Sequence, residues 1–590
     1  MIRRATTLLA AMLATTMIAA PALADAAPRQ QPAAASLIER PSAAERARYT
    51  DILSMLSARR WDEARTAIQA LDAGDSMRAY LLAQLYTAAG SPKVELFDLL
   101  DLLNKAPYLA ETEQIGRLAT LRGAQVLPNR PAERQLLWAG AAPQRRILRA
   151  VAGDSLADSM RGQILQYIKD DRPSDAAALL AGADASLLPE ARTELRQRVA
   201  WSYYICGDTT SARRLAEQAA QGGTGPFLAA AYWVQGLAAW RERQYDAAAN
   251  AFYQSAVNAD DADRRSGGYY WAARAMMADR HPERVDAMLR AAARDEESFY
   301  GMLARETLGL GPSAAFAREH VSAQDWSRLA ARPNVRNAVI LASLGRTSSA
   351  DEVLRHEATL SGDANYNALI HLASDLSLPT TQLWLAHRSP SGQRAPAYAR
   401  YPRPDWTPTN GWKVDRALVF AHALQESRFQ TDAHSAADAR GVMQVRAGTG
   451  GELAAQAGMA YSSADQLYDP ATNLALGQLY LEKLARMDAT GGLLPKVVAA
   501  YNAGPLPISR WNVQVRDEGD PLLFIESVPY YETRAYLNAV LRNYWIYQID
   551  DQGRSPALAA MAQGMWTRFP ERGETVAVRM APAGVSYGAN

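Results

Sequence analysis

The sequence predicts an all-α protein: a curved α-superhelix, built as a helical-repeat solenoid, followed by a second, mostly helical domain. Three observations carry this reading. From about Ser36 to Leu310 the chain is rich in Ala, Leu, Arg and Glu, which are good helix formers. Gly and Pro fall between these stretches and mark turns. Trp201, Trp233 and Trp271 lie 32 and 38 residues apart, each set at the opening of a helix-like segment with a second segment after a polar turn.

The elements follow in chain order. Residues 1–24 read as a signal peptide. Arg3 and Arg4 give a positive start, Leu8 to Ala20 is mostly apolar, and Ala22-Leu23-Ala24 is a small-x-small cleavage site before Asp25. The apolar stretch is short for a membrane span, so no membrane anchor is expected. Removing it takes the net charge from +1 to −1, because it holds two arginines and no acid. The expected location is the periplasm. Arg3-Arg4 alone does not make a twin-arginine signal, since the rest of that motif is missing.

Residues 25–310 are expected to form the superhelix. The polar turns between paired helices are Gly207-Asp208-Thr209-Thr210 and Arg243-Gln244-Tyr245-Asp246, with an earlier echo at Arg60-Trp61-Asp62-Glu63-Ala64. Ala247, Ala248, Ala251 and Phe252 fall on one helical face. One pair cannot bury its own apolar face, so pairs stack. The period is close to that of tetratricopeptide units, though an irregular helical bundle fits the same pattern. Nothing in this half groups His, Cys and carboxylates at metal-ligand spacing, and there is no Gly-rich phosphate loop. Cys206 is the sole cysteine, so no internal disulfide is possible; its apolar neighbours suggest a buried, inert thiol.

Residues 311–405 are expected to be a linker, because Pro379, Pro390, Pro396, Pro402, Pro404 and Pro408 cluster within 30 positions around its end. A net charge of +1 speaks against a broad basic surface for nucleic acid. Trp (13) and Tyr (26) outnumber Phe (9), and such amphipathic aromatics suit sugar faces as well as helix packing.

Residues 406–550 carry the chemistry. Val414 to Phe429 reads as a helix with Glu426 one turn after His422 and one turn before Phe429. A carboxyl on such a partly apolar face can be desolvated and kept protonated near neutral pH, as an acid catalyst of glycoside cleavage requires. Taken alone, a solvated helix glutamate is the simpler reading. Then come Ser435, the turn Gly441-Val442-Met443-Gln444, and Asp469-Pro470 opening a helix through Asn473. Tyr501-Asn502-Ala503-Gly504 and Pro529-Tyr530-Tyr531-Glu532-Thr533-Arg534-Ala535-Tyr536 complete the series.

This ordered set resembles the soluble lytic murein transglycosylase family. The pattern is an ES-x-F helix, a Ser, a GLMQ-like turn, DP-x-x-N, AYNAG and P-x-x-ETR-x-Y, over roughly residues 412–547. Any one motif is weak; five in order are specific. The helical first half and Ser298-Phe299-Tyr300-Gly301-Met302-Leu303-Ala304 also look like the large members, in which a helical superhelix carries a lysozyme-like catalytic domain.

The resemblance implies roles. Glu426 matches the single acid/base. Tyr501 matches a tyrosine that hydrogen-bonds near that carboxyl, with a core aromatic as the alternative. Ser435, Met443 and Gln444 match residues lining the glycan cleft, Met443 being partly core. Asn502 either contacts substrate or only shapes its turn. Glu532 matches a second acid near the cleft; the alternative is a structural pair with Arg534 or another arginine. The implied partner is the glycan strand of peptidoglycan, cleaved between N-acetylmuramic acid and N-acetylglucosamine to leave 1,6-anhydro ends. No metal or cofactor is implied. The sequence departs from the pattern where Asp438 replaces the usual Gly before the turn, and where Arg446-Ala447 replaces Met-Pro after it. Two other functions stay open: a lysozyme-type hydrolase with Asp432 or Asp438 as second carboxylate, and a non-catalytic peptidoglycan-binding scaffold. Residues 551–590 carry no readable motif.

Overall fold

The computed structural model describes residues 37–570 and 575–580, and the signal-peptide reading lies outside these residues. Among the described residues there are 27 α-helices and three two-residue antiparallel strand pairs. None of these helices is long and apolar enough to cross a membrane.

The repeat is present as helix pairs. Pro189–Ile205 is followed by Thr209–Ala220, Leu228–Arg241 by Tyr245–Val257, and Ala262–Ala278 by Val285–Ala293. Polar caps start the helices: Asp208 accepts from the Ser211 amide and Asp261 from the Arg264 amide. The three tryptophans do not open their helices as expected. They sit in the middle or last turns of the first helix of each pair, where Trp233 and Trp271 are buried. Small residues permit the close approach: a Cβ on Gly236 would meet the Phe252 ring at 2.7 Å, and one on Gly268 would meet the Phe252 carbonyl at 2.7 Å. Ala248, Ala251 and Phe252 are buried as their shared face requires. Cys206 differs from expectation, for its side chain is exposed at the end of a helix.

Residues 311–405 are not a linker. They hold the helices Ala323–Leu329, Pro333–Ser343, Thr347–Leu360, Asp363–Asp375 and Pro379–Ala386. The first proline of the cluster was misleading, because Pro379 stands in the first turn of its helix, where the missing N–H would have no partner anyway, and the other prolines lie beyond the helices. The mostly irregular parts are residues 311–322, broken by the short turn Ala314–Phe316, and the stretch between Ala386 and Arg416. The helices from 321 to 399 share one apolar core with those from 38 to 119. Asn334 and His356 both bond the Tyr108 carbonyl, at 2.8 and 3.1 Å, and Leu137 pairs with Ser389.

The second large core joins residues 157–304 to the C-terminal domain. Buried charge reinforces this junction. Arg145 pairs with Glu526 at 2.6 Å and with Asp263 at 3.1 Å, and the Tyr300 hydroxyl donates to Glu526 at 2.7 Å. Phe299 stacks on Trp545 with centroids 4.8 Å apart. Beyond residue 550 the chain still packs inward: Trp566 is buried and donates to the Gly519 carbonyl at 2.8 Å.

Candidate active site

Glu426 is the last residue of the helix Arg416–Glu426. The chain turns away at once, because Arg428 (φ 55°) and Phe429 (φ 62°) are both left-handed. Two such non-glycine residues cost roughly 1–2 kcal/mol each. The strain is offset by Phe429, fully buried against Phe420 and Trp406 with centroids 5.8 and 6.0 Å away. Ser427 closes the helix, donating to the Ala423 carbonyl at 3.2 Å or the Val442 carbonyl at 2.8 Å. The acid is thereby half-buried at a helix C-terminus, where the negative end of the helix dipole also disfavours an ionised carboxyl.

Burial pushes the Glu426 pKa from 4.5 up to about 7; the Tyr536 hydrogen bond works in the other direction, and the charge of Glu532 adds to the rise. The Tyr536 hydroxyl donates to Glu426 Oε1 at 2.5 Å. Behind them lies His422, fully buried, whose pKa desolvation lowers to about 4. Its Nδ1 bonds the Leu418 carbonyl at 2.9 Å, so the ring is neutral with its proton on Nδ1. It therefore supplies no cation to ionise Glu426.

The other expected site residues are placed as follows. Tyr501 does not bond the acid. Its hydroxyl donates to the Met443 carbonyl at 2.8 Å, and its ring lies 4.8 Å from that of His422. Burial raises its pKa, and the nearby Glu426 raises it further. Met443 is fully buried, so its side chain does not line a cleft. It packs over Gly477, where a Cβ would come within 2.2 Å of its sulfur. Its amide donates to Asn473 Oδ1 at 2.8 Å, and Asn473 in turn donates to the carbonyls of Arg440 and Leu467, both at 2.8 Å. Buried Asn473 thus fixes the turn from three sides. Gly441 (φ 71°) admits no side chain there, since a Cβ would lie 2.0 Å from the Leu467 carbonyl.

Gln444 is half-buried and donates to the Gly441 and Ala433 carbonyls at 3.0 and 3.3 Å. Ser435 accepts from the Ala439 amide at 3.0 Å and braces the hairpin. Asn502 accepts from the Thr533 hydroxyl at 2.7 Å, which ties the AYNAG turn to the long helix Tyr531–Gln552. Glu532 is exposed and does not pair with Arg534, which instead donates to the Val528 carbonyl and lies 4.1 Å from the centre of the Trp201 ring. Asp438 occupies a left-handed position (φ 57°), one that Asp tolerates better than most residues. It pairs with Arg440 at 2.9 Å and His434 at 3.0 Å, which hold its pKa down on the surface.

Tyr536 was missed as a site residue. It was legible as the last position of P-x-x-ETR-x-Y, one turn after Glu532 on the inner side of the same helix. Also unanticipated is a cavity of about 850 Å³ walled by Asn502 and residues 529–533 on one side and by superhelix residues, including Lys169 and Trp201, on the other. Among the described residues no group of His, Cys, Asp and Glu could hold a metal ion.

A family model described as the transglycosylase SLT domain matches residues 407–524, from the approach to the acid helix to the helix before P-x-x-ETR-x-Y. The chain carries an SLT domain. The soluble lytic murein transglycosylase of Escherichia coli is 32% identical over 161 residues, which is 27% of this chain and 24% of that protein. The one from Salmonella typhimurium is 31% identical over 161 residues, with the same shares of 27% and 24%. The match thus spans about a quarter of the length of these curated relatives. Among solved structures, the 70 kDa soluble lytic transglycosylase of E. coli aligns with a TM-score of 0.53 at 17% identity, over 90% of this chain and 100% of that one. The lytic transglycosylase Slt of Pseudomonas aeruginosa gives 0.51 at 20% identity, over 86% and 73%. The likeness beyond the SLT domain is one of fold: a helical superhelix carrying a lysozyme-like domain, as the sequence predicted.

Proposed function

We propose that this protein is a peptidoglycan lytic transglycosylase with Glu426 as its single acid/base. The observation that carries the reading is the state of that carboxyl. With a pKa of about 7 it holds a proton near neutral pH, and the Tyr536 hydroxyl fixes one of its oxygens at 2.5 Å. The protonated acid gives its proton to the oxygen between N-acetylmuramic acid and N-acetylglucosamine, and the bond breaks through an oxocarbenium-like state. The carboxylate that results takes the proton of the sugar's own C6 hydroxyl as that oxygen closes on C1. An internal nucleophile has a high effective concentration, so water is not needed. Acid–base catalysis of this kind contributes roughly 100- to 10,000-fold. Gln444 and Ser435 hold the hairpin at one side of the acid, while Asn502 and Glu532 border the other; these are the proposed substrate-facing positions, with Tyr501 supporting the turn from behind.

The hydrolase alternative needs a second carboxylate. Asp438 is engaged with Arg440 and His434, and Asp432 is exposed. The reading places the protein in the periplasm after cleavage before Asp25, with glycan strands as its partner. Mass analysis of products released from purified sacculi is the test. Products ending in 1,6-anhydro rings, each one water lighter than a reducing end, are expected. Reducing ends would replace this reading with a hydrolase, and inert sacculi would leave the scaffold.

A further inference from the structure

All 13 tryptophans lie among the described residues, and Trp138 alone is exposed; the others are buried or half-buried. Its ring is 59% exposed, and its neighbour Leu137 is exposed too. A lone apolar side chain on a surface calls for no explanation by itself. Trp138 differs in how firmly it is held. Between the helices Thr112–Leu121 and Ser155–Lys169 the chain is irregular apart from the short strand that carries it. That segment is nevertheless tied down. The Arg134 amide donates to the Thr359 carbonyl and the Ala139 amide to the His387 carbonyl, both at 2.9 Å. Leu137 and Trp138 pair with Ser389 and Arg388. The Trp138 ring stacks on His387 with centroids 5.4 Å apart and planes 25° from parallel. The Arg388 guanidinium lies 5.8 Å from the centre of that ring and 5.4 Å from the centre of the Trp384 ring. An exposed ring is thus fixed in place before anything binds it, which lowers the entropy cost of binding.

The platform lies towards the turn that follows the acid. Burial, and after it the charge of Arg428, lower the His387 pKa to about 4, so the imidazole is neutral and the Arg428 guanidinium is near it. Arg428 is exposed and follows Glu426 by two positions. The irregular stretch that begins at His387 reaches the same turn directly, since Trp406 packs on Phe429 with centroids 6.0 Å apart. The one acid whose charge reaches His387 is Glu297, which is buried and paired with Arg400 at 2.7 Å. The surface therefore offers a flat apolar ring, a neutral imidazole beside it and guanidinium donors at its edges. A pyranose has the matching features. Its C–H face can lie on the indole, and its hydroxyl and acetamido oxygens can accept from Arg388 and Arg428.

We propose that Trp138 is a sugar-stacking platform on the superhelix, which holds the glycan strand beyond the cleft on the side of Arg428. The superhelix then binds the carbohydrate itself, away from the bond that is cut, and favours strands long enough to span both places. The choice of ligand rests on the function proposed above. The site asks more than that reading does: the chemistry at Glu426 is common to short and long strands, whereas the platform serves only the long ones.

Glycan strands freed of their peptides by an amidase isolate the sugar contacts. Wild type should cleave long stripped strands at a lower KM than short fragments of them. Trp138→Ala should raise KM on the long strands about tenfold, as loss of one ring's share of apolar burial implies, with the effect in KM and not in kcat. The preference for length should then largely vanish. Trp138→Tyr, which keeps an aromatic face, should retain most of it, and this separates lost stacking from a folding defect. An unchanged KM on long strands in Trp138→Ala, or an equal rise on long and short ones, would overturn the proposal. Binding is measured apart from cleavage with the full-length Glu426→Gln protein on immobilised stripped strands. Adding Trp138→Ala to it should weaken binding about tenfold, and undiminished binding would again refute the platform. Wild type that binds strands through Trp138 but releases no 1,6-anhydro ends would sink the function proposed above and leave this site standing.

Discussion

Replacing Glu426 with Gln should abolish turnover and at the same time stabilise the fold at alkaline pH. The unfolded chain ionises this carboxyl at about 4.5, whereas the folded protein holds the proton up to about 7. Below 4.5 both states are protonated, and the group contributes equally to each. Between 4.5 and 7 the unfolded state alone releases its proton, so the wild type loses stability as pH rises. Above 7 the deficit is constant, at about 3 kcal/mol. An amide never ionises, keeps the same shape, and still accepts from the Tyr536 hydroxyl. Unfolding entropy of about 2 cal/mol/K per residue converts this into a rise in Tm of about 3 °C if all the described residues melt together. It becomes about 8 °C if the C-terminal domain melts by itself. Differential scanning calorimetry of both proteins at pH 4 and pH 8.5 measures it: equal Tm at pH 4, and the variant higher at pH 8.5. A variant that melts at or below wild type at pH 8.5 would show that the carboxyl is not strained by burial, and the argument for a protonated acid would fail.

Further expectations follow from the same geometry. For cleavage of sacculi, kcat/KM should be flat below about pH 7 and fall tenfold per unit above it, as Glu426 loses its proton; a profile unchanged to pH 9 contradicts the assignment. Tyr536→Phe removes the bond that favours the ionised acid, so the alkaline limb should move to higher pH. Its kcat should drop by about 10- to 100-fold, in line with a hydrogen bond to a charged group of about 1.5–3 kcal/mol. Gly477→Ala sets a Cβ 2.2 Å from the Met443 sulfur and should cost about 1–3 kcal/mol in denaturant melts through overpacking. Arg145→Met leaves Glu526 and Asp263 buried without their cation and should destabilise by about 3–5 kcal/mol, seen as faster proteolysis between superhelix and SLT domain.

What could be read in advance divides along a physical line. Local chemistry was legible. The helix carrying Glu426, the turn that needs Gly441, and the Asp469-Pro470 start all follow from properties of a few adjacent residues, although that helix stops at Glu426 and not at Phe429 as expected. The helix pairs were legible for the same reason, although the tryptophans landed later in their helices than expected. Pairings across long separations were not. Arg145 and Glu526 lie 381 positions apart, and nothing near either one announces the other. The proline cluster from 379 to 408 was read back over the helices that precede it, and Pro379 itself starts a helix at its first turn although it would break one in its interior. Tyr501 and Tyr536 are both motif tyrosines, and only the fold decides which hydroxyl reaches the acid.

That last distinction bears on how the site keeps a carboxyl protonated. A hydroxyl that donates to Glu426 favours its ionised form, so two such donors would draw the pKa back toward the usual carboxylate range. The Tyr501 hydroxyl is spent on the Met443 carbonyl, and the His422 proton on the Leu418 carbonyl. Each is a buried donor within the aromatic cluster around the acid, and each is satisfied by the backbone instead. One donor remains, from Tyr536, enough to orient the carboxyl without stripping it of its proton. The Asn473 and Gly441 contacts that fix the Met443 carbonyl therefore act on Glu426 at one remove, by occupying Tyr501. Burial sets the direction of the pKa shift, and the backbone carbonyls limit how many hydrogen bonds oppose it.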